Sequence, residues 1–249
     1  MGETTDNAFL GGALQLLQPA RGYRAGLDPV LLAAACAPKP GASVLDLGCG
    51  VGTALYCLAR RVPDLELTGV ELQPGLAELA RENATRNGLT ARIECADIAA
   101  LPAELRNRSF DLVLANPPFF ERDKSTGAKI LNRETGRGEA LPLAAWVEVA
   151  AKRLKPGGQA AFIQRIERLP NLLQACQDRL GSVQVIPLTS RENRPPKLVI
   201  LRARKGGRAH FFMSAPIVLH RGSQHVADEE SYTEQVSAVL REGAALNAT

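Results

Sequence analysis

The chain has 249 residues, 45% of them hydrophobic, which is enough for a packed core and too many for a disordered chain. A charged fraction of 22% and a formal net charge of +4 permit a polyanionic partner without requiring one. Aromatic residues make up only 4%, which argues against a stacking platform built from several exposed rings.

In chain order, residues 1–40 hold Gly11-Gly12, Gln18-Pro19 and Arg21-Gly22-Tyr23-Arg24, which predict a turn-rich arm, and then a helix over Pro29 to Cys36. This arm and helix are expected to pack on residues 41–249, giving one domain overall. Seven strands are expected: Val44 to Leu47, Glu66 to Val70, Ala91 to Cys95, Phe110 to Ala115, Gln159 to Gln164, Val183 to Leu188 and Lys197 to Arg202. Helical stripes lie between them. One starts at Pro74, runs through Leu76, Leu79, Ala80 and Asn83, and stops at Asn87-Gly88. A second carries Leu143, Val147, Ala150 and Leu154, and a third Leu169, Leu172, Leu173, Cys176 and Leu180. Alternation of this kind predicts an α/β fold, a mostly parallel seven-stranded sheet with helices on both faces. Residues 121–140 form a polar stretch too long for an ordinary connection, placed where a substrate lid is often found.

The five cysteines, Cys36, Cys49, Cys57, Cys95 and Cys176, form no C-x-x-C pair, so neither a zinc site nor a disulfide framework is expected. His210, His220 and His225 offer no H-E-x-x-H and read as structural or exposed, and no metal is expected. The first residues lack the basic start and apolar stretch of a signal peptide, and no apolar run reaches the length of a membrane span. The expectation is a cytoplasmic protein with no membrane partner.

Asp46-Leu47-Gly48-Cys49-Gly50-Val51-Gly52 follows the first strand of the series and opens a helix. Glycines there let backbone approach a ligand closely. Glu71, at the end of the next strand, stands where an acid can accept both hydroxyls of a ribose. A dinucleotide fingerprint fails, because Thr53 stands where its third glycine belongs and Asp46 would repel a pyrophosphate. Asp46 suits an ammonium group instead. Ribose plus a zwitterionic methionine end describes S-adenosylmethionine. The bland alternative is a glycine turn that only joins strand to helix.

These residues resemble the cofactor motifs of class I methyltransferases. The resemblance implies their Rossmann-like fold and a cradle of Asp46, Gly48, Cys49, Gly50, Gly52, Glu71, Leu72, Asp97, Ile98 and Asn116. Asp97 would receive the adenine amino group and the Ile98 amide a ring nitrogen; a plain helix N-cap is the other reading of Asp97.

Asn116-Pro117-Pro118-Phe119 follows the fourth strand, where two prolines force the chain out of the sheet. The tetrapeptide resembles the Asn-Pro-Pro-Tyr/Phe motif of amino-group methyltransferases, which act on adenine N6, guanine N2 or glutamine amide nitrogen. Asn116 and the Pro117 carbonyl would accept the two N–H bonds of such an amine, and Phe119 would stack on the base. An Asx-type turn with Phe119 in the core is the structural alternative. Gln18-Pro19, Gly22-Tyr23-Arg24, Leu27 to Leu32, Arg194-Pro195-Pro196-Lys197, Ile217 to Val226 and Tyr232-Thr233 extend the resemblance to bacterial tRNA-valine adenine-N6 methyltransferases. Phe119-Phe120 stands where that family has tyrosines, and residues 121–140 match it poorly.

Residues 191–210 hold seven basic side chains against Glu192. Arg191, Arg194, Lys197 and Arg202 among them are candidates for phosphate contacts to an RNA substrate, with a solvated surface hairpin as the alternative. Three functions follow: an RNA adenine-N6 methyltransferase, with tRNA as the expected partner; a guanine-N2 or glutamine-amide methyltransferase; and an RNA-binding adaptor that keeps the fold without turnover.

Overall fold

The computed structural model describes residues 3–22, 24–118, 141–222 and 231–248. The chain opens with an antiparallel hairpin, β1 (Thr4–Phe9) and β2 (Leu14–Pro19), followed by helix α1 (Asp28–Ala34). Strands and helices then alternate through β3 (Ser43–Leu47), α2 (Thr53–Arg61), β4 (Glu66–Glu71), α3 (Pro74–Arg86), β5 (Ala91–Cys95), α4 (Ala103–Arg106) and β6 (Phe110–Ala115). After α5 (Leu143–Arg153) come β7 (Leu154–Arg165), α6 (Leu169–Cys176), β8 (Gly181–Thr189) and β9 (Leu198–Arg204). Two short strands, β10 (Phe212–Met213) and β11 (Ile217–Val218), precede the last helix, α7 (Glu234–Glu242).

The main sheet runs β10-β8-β9-β7-β6-β3-β4-β5, with β11 also beside β8. Among the described strands of this sheet, only β9 runs antiparallel to both of its neighbours. The seven expected strands are β3 to β9. The sheet has nine, because β10 and β11 are two-residue strands, too short to leave any periodicity in a sequence. The stretch 121–140 and the residues Tyr23 and His225 lie outside the described residues.

Burial on both faces explains the apolar strands. Along β3, Val44 points into one core with α1, α2, α3 and α7, while Leu45 and Leu47 point into the other, below α5 and α6. Strands β6 and β7 alternate the same way, Leu112, Leu114, Ala161 and Ile163 against Phe110, Val113, Ala160 and Phe162. Helix α3 begins with Pro74 in its first turn, and Gly88 just beyond it takes φ of 62°, the left-handed turn that stops a helix.

The arm read as turn-rich is a paired hairpin. Leu14 and Leu16 alternate with exposed Gln15 and are fully buried. The outer edge of β2 is capped by two side-chain amides, one within α3 and one on the residue that caps its C-terminus. Asn83 accepts from the Leu17 N–H at 2.8 Å and donates to the Leu17 carbonyl at 3.0 Å. One turn later, Asn87 accepts from the Gln15 N–H at 3.0 Å and donates to its carbonyl at 2.9 Å. Asparagines four apart lie on one helix face, and residues two apart in a strand present their backbone groups on one edge. Each amide thus stands in for a peptide of a neighbouring strand. Asn83 is fully buried and also donates to the Val51 carbonyl at 3.1 Å, joining hairpin, helix and glycine loop.

Asn83→Ala removes all three bonds and leaves the Leu17 groups unpaired, so a loss of about 2–3 kcal/mol is expected in urea unfolding. The half-buried Asn87→Ala should cost less.

Candidate active site

Strand register brings the expected residues to one edge. Leu47 pairs with Val70 of β4 and with Ala115 of β6, and Glu71 pairs with Cys95 of β5. Gly48, Glu71, Asp97 and Asn116 therefore leave four adjacent strands at their C-terminal ends, the edge where ligands bind in open α/β sheets.

The glycine loop is shaped from below and open above. A Cβ on Gly52, whose φ is 90°, would lie 2.1 Å from the Tyr56 ring, and one on Gly48 would lie 2.8 Å from the Trp146 indole. Tyr56 is fully buried and donates its hydroxyl to the Ala80 carbonyl at 2.6 Å, which fastens α2 to α3 beneath the loop. Gly50 also has a left-handed backbone, φ 57°, but a Cβ there would meet nothing within 4 Å. Its side of the loop faces open space. Cys49 is buried, and its N–H donates to Val70 at 3.0 Å, while Gly52 closes the turn on the Cys49 carbonyl at 2.9 Å.

Glu71 organises this rim. Its Oε2 accepts from Gly50 N–H and its Oε1 from Gln73 N–H, each at 2.9 Å. Next to it Leu72 is 60% exposed. Asp97 accepts from the Ala99 N–H at 2.8 Å, the capping bond that was its plainer reading, and Ile98 is buried behind it. Asp46 lies 3% exposed under the loop, and burial, reinforced by the negative charge of Glu71, pushes its carboxyl up to about 8.

Asn116 is half-buried and Pro117 buried at the end of β6. Phe119 lies outside the described residues. Gln164, which sequence reasoning missed because it reads as one more strand residue, is 1% exposed. Its Nε2 donates to the Pro117 carbonyl at 3.3 Å, and its Oε1 accepts from the Arg165 N–H at 2.9 Å. A buried amide in an otherwise apolar strand was the only signal that could have marked it.

The four basic candidates do not form one group. Arg194 and Lys197 are exposed on the connection between β8 and β9, at the same edge as Asn116. Arg191 is bound to the carbonyls of Arg221 and Gly222 and to Ser231, and so pins the C-terminal segment. Arg202 lies inside the fold between the Ala35 carbonyl and Gln184, where burial lowers its pKa and its Nε has no partner. Among the described residues no helix is long and apolar enough to cross a membrane, and no group of three or more His, Cys, Asp or Glu could hold a metal ion.

Asp46 makes ligand-free stability depend on pH. Its folded-state pKa is raised from 3.8, so the stabilisation is complete below about pH 4 and drains away as pH rises toward 8. Ligand-free Asp46→Asn should therefore melt above the parent chain at pH 8, with the gap closing toward pH 4. Thermal scans across that range test this, and a gap independent of pH would place the Asp46 charge on an unrecognised partner.

Comparison with known proteins agrees with this geometry. A family described as a methyltransferase domain matches residues 44–133. The tRNA1(Val) (adenine(37)-N6)-methyltransferase of Porphyromonas gingivalis is 35% identical over 187 residues, covering 71% of this chain and 72% of that one. Its counterpart in Pedobacter heparinus is 26% identical over 243 residues, 95% of this chain and 97% of that one. Among solved structures, a predicted O-methyltransferase of Agrobacterium tumefaciens superposes with a TM-score of 0.71 at 26% identity, covering 89% of this chain and 99% of that chain. The Thermus thermophilus 16S rRNA N2 G1207 methyltransferase, solved with S-adenosylmethionine and guanosine, gives a TM-score of 0.56 at 26% identity, over 82% of this chain and 50% of that one. With a glycine loop, a strand-end acid and an Asn-Pro-Pro turn on one sheet edge, and with relatives alike over most of both lengths, the chain belongs to the tRNA1(Val) (adenine(37)-N6)-methyltransferase family of class I methyltransferases.

Proposed function

We propose that this chain methylates the N6 amine of an adenine in tRNA, in the cytoplasm, using S-adenosylmethionine. The observation that carries the reading is the Asn116-Pro117 turn, held at the sheet edge beside the loop that Glu71 organises, with its second acceptor tied down by Gln164.

The rim residues fit the cofactor. The space above Gly50 admits backbone approach, the exposed Leu72 offers an apolar surface to an adenine ring, and the buried Asp46 carboxyl lacks the positive charge that a sulfonium or ammonium group provides. When bound, S-adenosylmethionine supplies a methyl group activated by positively charged sulfur. Glu71 would accept the ribose hydroxyls on lone pairs not used by Gly50 and Gln73. Asp97 would take the adenine amino group on the oxygen not capping Ala99, and the Ile98 N–H a ring nitrogen. Cys49, Gly48 and Gly52 shape the loop without needing side-chain contact to the ligand.

The residues at the reacting nitrogen do the chemical work by position. An exocyclic amine is planar, its lone pair delocalised into the ring, and so is a weak nucleophile. Asn116 Oδ1 and the Pro117 carbonyl would accept its two N–H bonds and turn the nitrogen toward the methyl. Both bonds strengthen as positive charge grows on nitrogen, so they favour the transition state over the ground state. Gln164 occupies one lone pair of the Pro117 carbonyl and fixes its direction, leaving the other for the substrate. The methylated ammonium is acidic enough to lose its proton to water. Phe119 would supply the stacking face for the base.

Asn116→Ala should lower kcat by about 10²–10³ with cofactor affinity retained, the usual cost of losing one preorganised partner at developing charge. Tritiated methyl transfer on total tRNA, ribosomal RNA and release factor, with nucleoside analysis, tests the substrate. N6-methyladenosine in tRNA is the expected product, whereas methylguanosine in rRNA or methylglutamine in protein would replace the reading.

Arg194 and Lys197 are the phosphate contacts this edge offers. Replacing both with alanine should reduce the slope of log affinity against log salt by about 1.5, with cofactor binding intact. Arg202→Ala should lower the melting temperature and leave the slope unchanged, because its guanidinium is spent on Ala35 and Gln184.

A further inference from the structure

No acidic residue stands between Glu192 and Asp228, so the basic segment does not end at the active-site edge. Strand β9 carries it across the sheet. Leu198 pairs with Arg165 at the end of β7, and Arg204 pairs with Gln159 six residues earlier in that strand, roughly 20 Å away at about 3.3 Å per residue. Beyond β9, Lys205 is tied through its backbone to Gly157 and Gly158, and Gly207 packs against Gly181. Arg204 and Arg208 are exposed there, as is Arg179 on the turn before β8. Arg204 donates one guanidinium N–H to the Gly157 carbonyl at 3.1 Å and keeps its other donors toward solvent.

The same place holds an apolar cluster. Phe211, Phe212 and Met213 are 54%, 48% and 49% exposed, and β10 is the last strand at this side of the sheet. These two rings are consecutive, lie between His210 and Met213, and follow Arg208 by three and four residues. Protein interfaces also favour Phe, Met and Arg, so residue type alone does not choose the partner. The choice comes from charge. With no acid from Arg194 to Ala227 the segment suits a polyanion, whose bases stack on aromatic rings while guanidinium groups take the phosphates.

We propose that Phe211, Phe212, Arg204 and Arg208 form a second RNA contact surface, which takes unpaired nucleotides of the substrate roughly 20 Å from the target base. The inference rests on the reading of the substrate as tRNA. It divides the work: Arg194 and Lys197 hold the phosphates around the reacting base, and the far surface recognises that this base belongs to a large folded RNA. An RNA cut down to the target stem and loop has only paired nucleotides at that distance from the target base, so it offers this surface no base to stack.

The test uses the full chain with total tRNA and with an anticodon stem-loop RNA. Phe211→Ala with Phe212→Ala should weaken tRNA binding about tenfold or more and leave methylation of the stem-loop unchanged. Arg204→Gln with Arg208→Gln should reduce the salt slope for tRNA by more than one and for the stem-loop not at all. These side chains are exposed, so folding should persist, and an unchanged melting temperature would show it. Unaltered tRNA affinity in both variants would overturn the proposal. Unaltered affinity joined to conversion of a parent dimer into monomers by the phenylalanine variant would assign the face to self-association instead. If the parent chain binds tRNA through this face but methylates no RNA, the surface stands and the reading of the reaction fails.

Discussion

Hydrogen bonding of β3 to β4 on one side and β6 on the other sets the position of everything that could act on a ligand. The register places Leu47 level with Val70 and Ala115, so the next residues, Gly48, Glu71 and Asn116, emerge together. A slip of one residue in either pairing would turn each apolar side chain to the wrong core and part the carboxylate from the glycine loop. Burial of both sheet faces enforces the register, and the site inherits its precision from that burial. Side chains on strand ends, rather than on long loops, need little further ordering.

Polar groups then knit the rim to its surroundings. Glu71 binds the N–H groups of Gly50 and Gln73, Gln164 binds the Pro117 carbonyl, and Asn83 binds Leu17 and Val51. All three side chains are buried, where leaving such groups unpaired is costly, so they hold backbone in place more firmly than surface contacts would. Asn83 has a further consequence. Through it the N-terminal hairpin bears directly on the glycine loop, so an element remote in sequence helps to set the loop's shape. Asp46 is the exception, a buried carboxyl beside another carboxylate, whose pKa both burial and that neighbour raise.

Electrostatics follow the topology rather than the order of residues. The basic run reads as a single patch along the chain, yet β9 separates its two ends and two of its arginines are consumed within the fold. Arg191 fastens the segment around Arg221 and Ser231, and Arg202 bridges α1 and β8. Their charges remain, but both side chains are held by partners within the chain, whereas Arg194, Lys197, Arg204 and Arg208 are exposed.

The alternation of apolar strands with helical stripes, the glycine loop, Glu71 and the Asn-Pro-Pro turn were legible in the sequence, because each depends on local geometry. Buried parallel strands need runs such as Val44 to Leu47, a sharp strand-to-helix turn needs glycine, and paired prolines must leave a sheet. The hairpin of the arm, the short strands β10 and β11, the clamp of Gln164 on Pro117 and the brace of Asn83 were not legible. Their partners lie 47 to 66 residues away in the case of the two amides, and a single glutamine or asparagine carries no mark of which distant carbonyl it will meet. The direction of Arg202 into the fold, and of Phe211 and Phe212 out of it, was likewise decided by which neighbours the completed sheet left room for. Residue type and spacing determined the chemistry available to this protein; tertiary packing alone decided which groups were spent on holding the fold and which remained free to act.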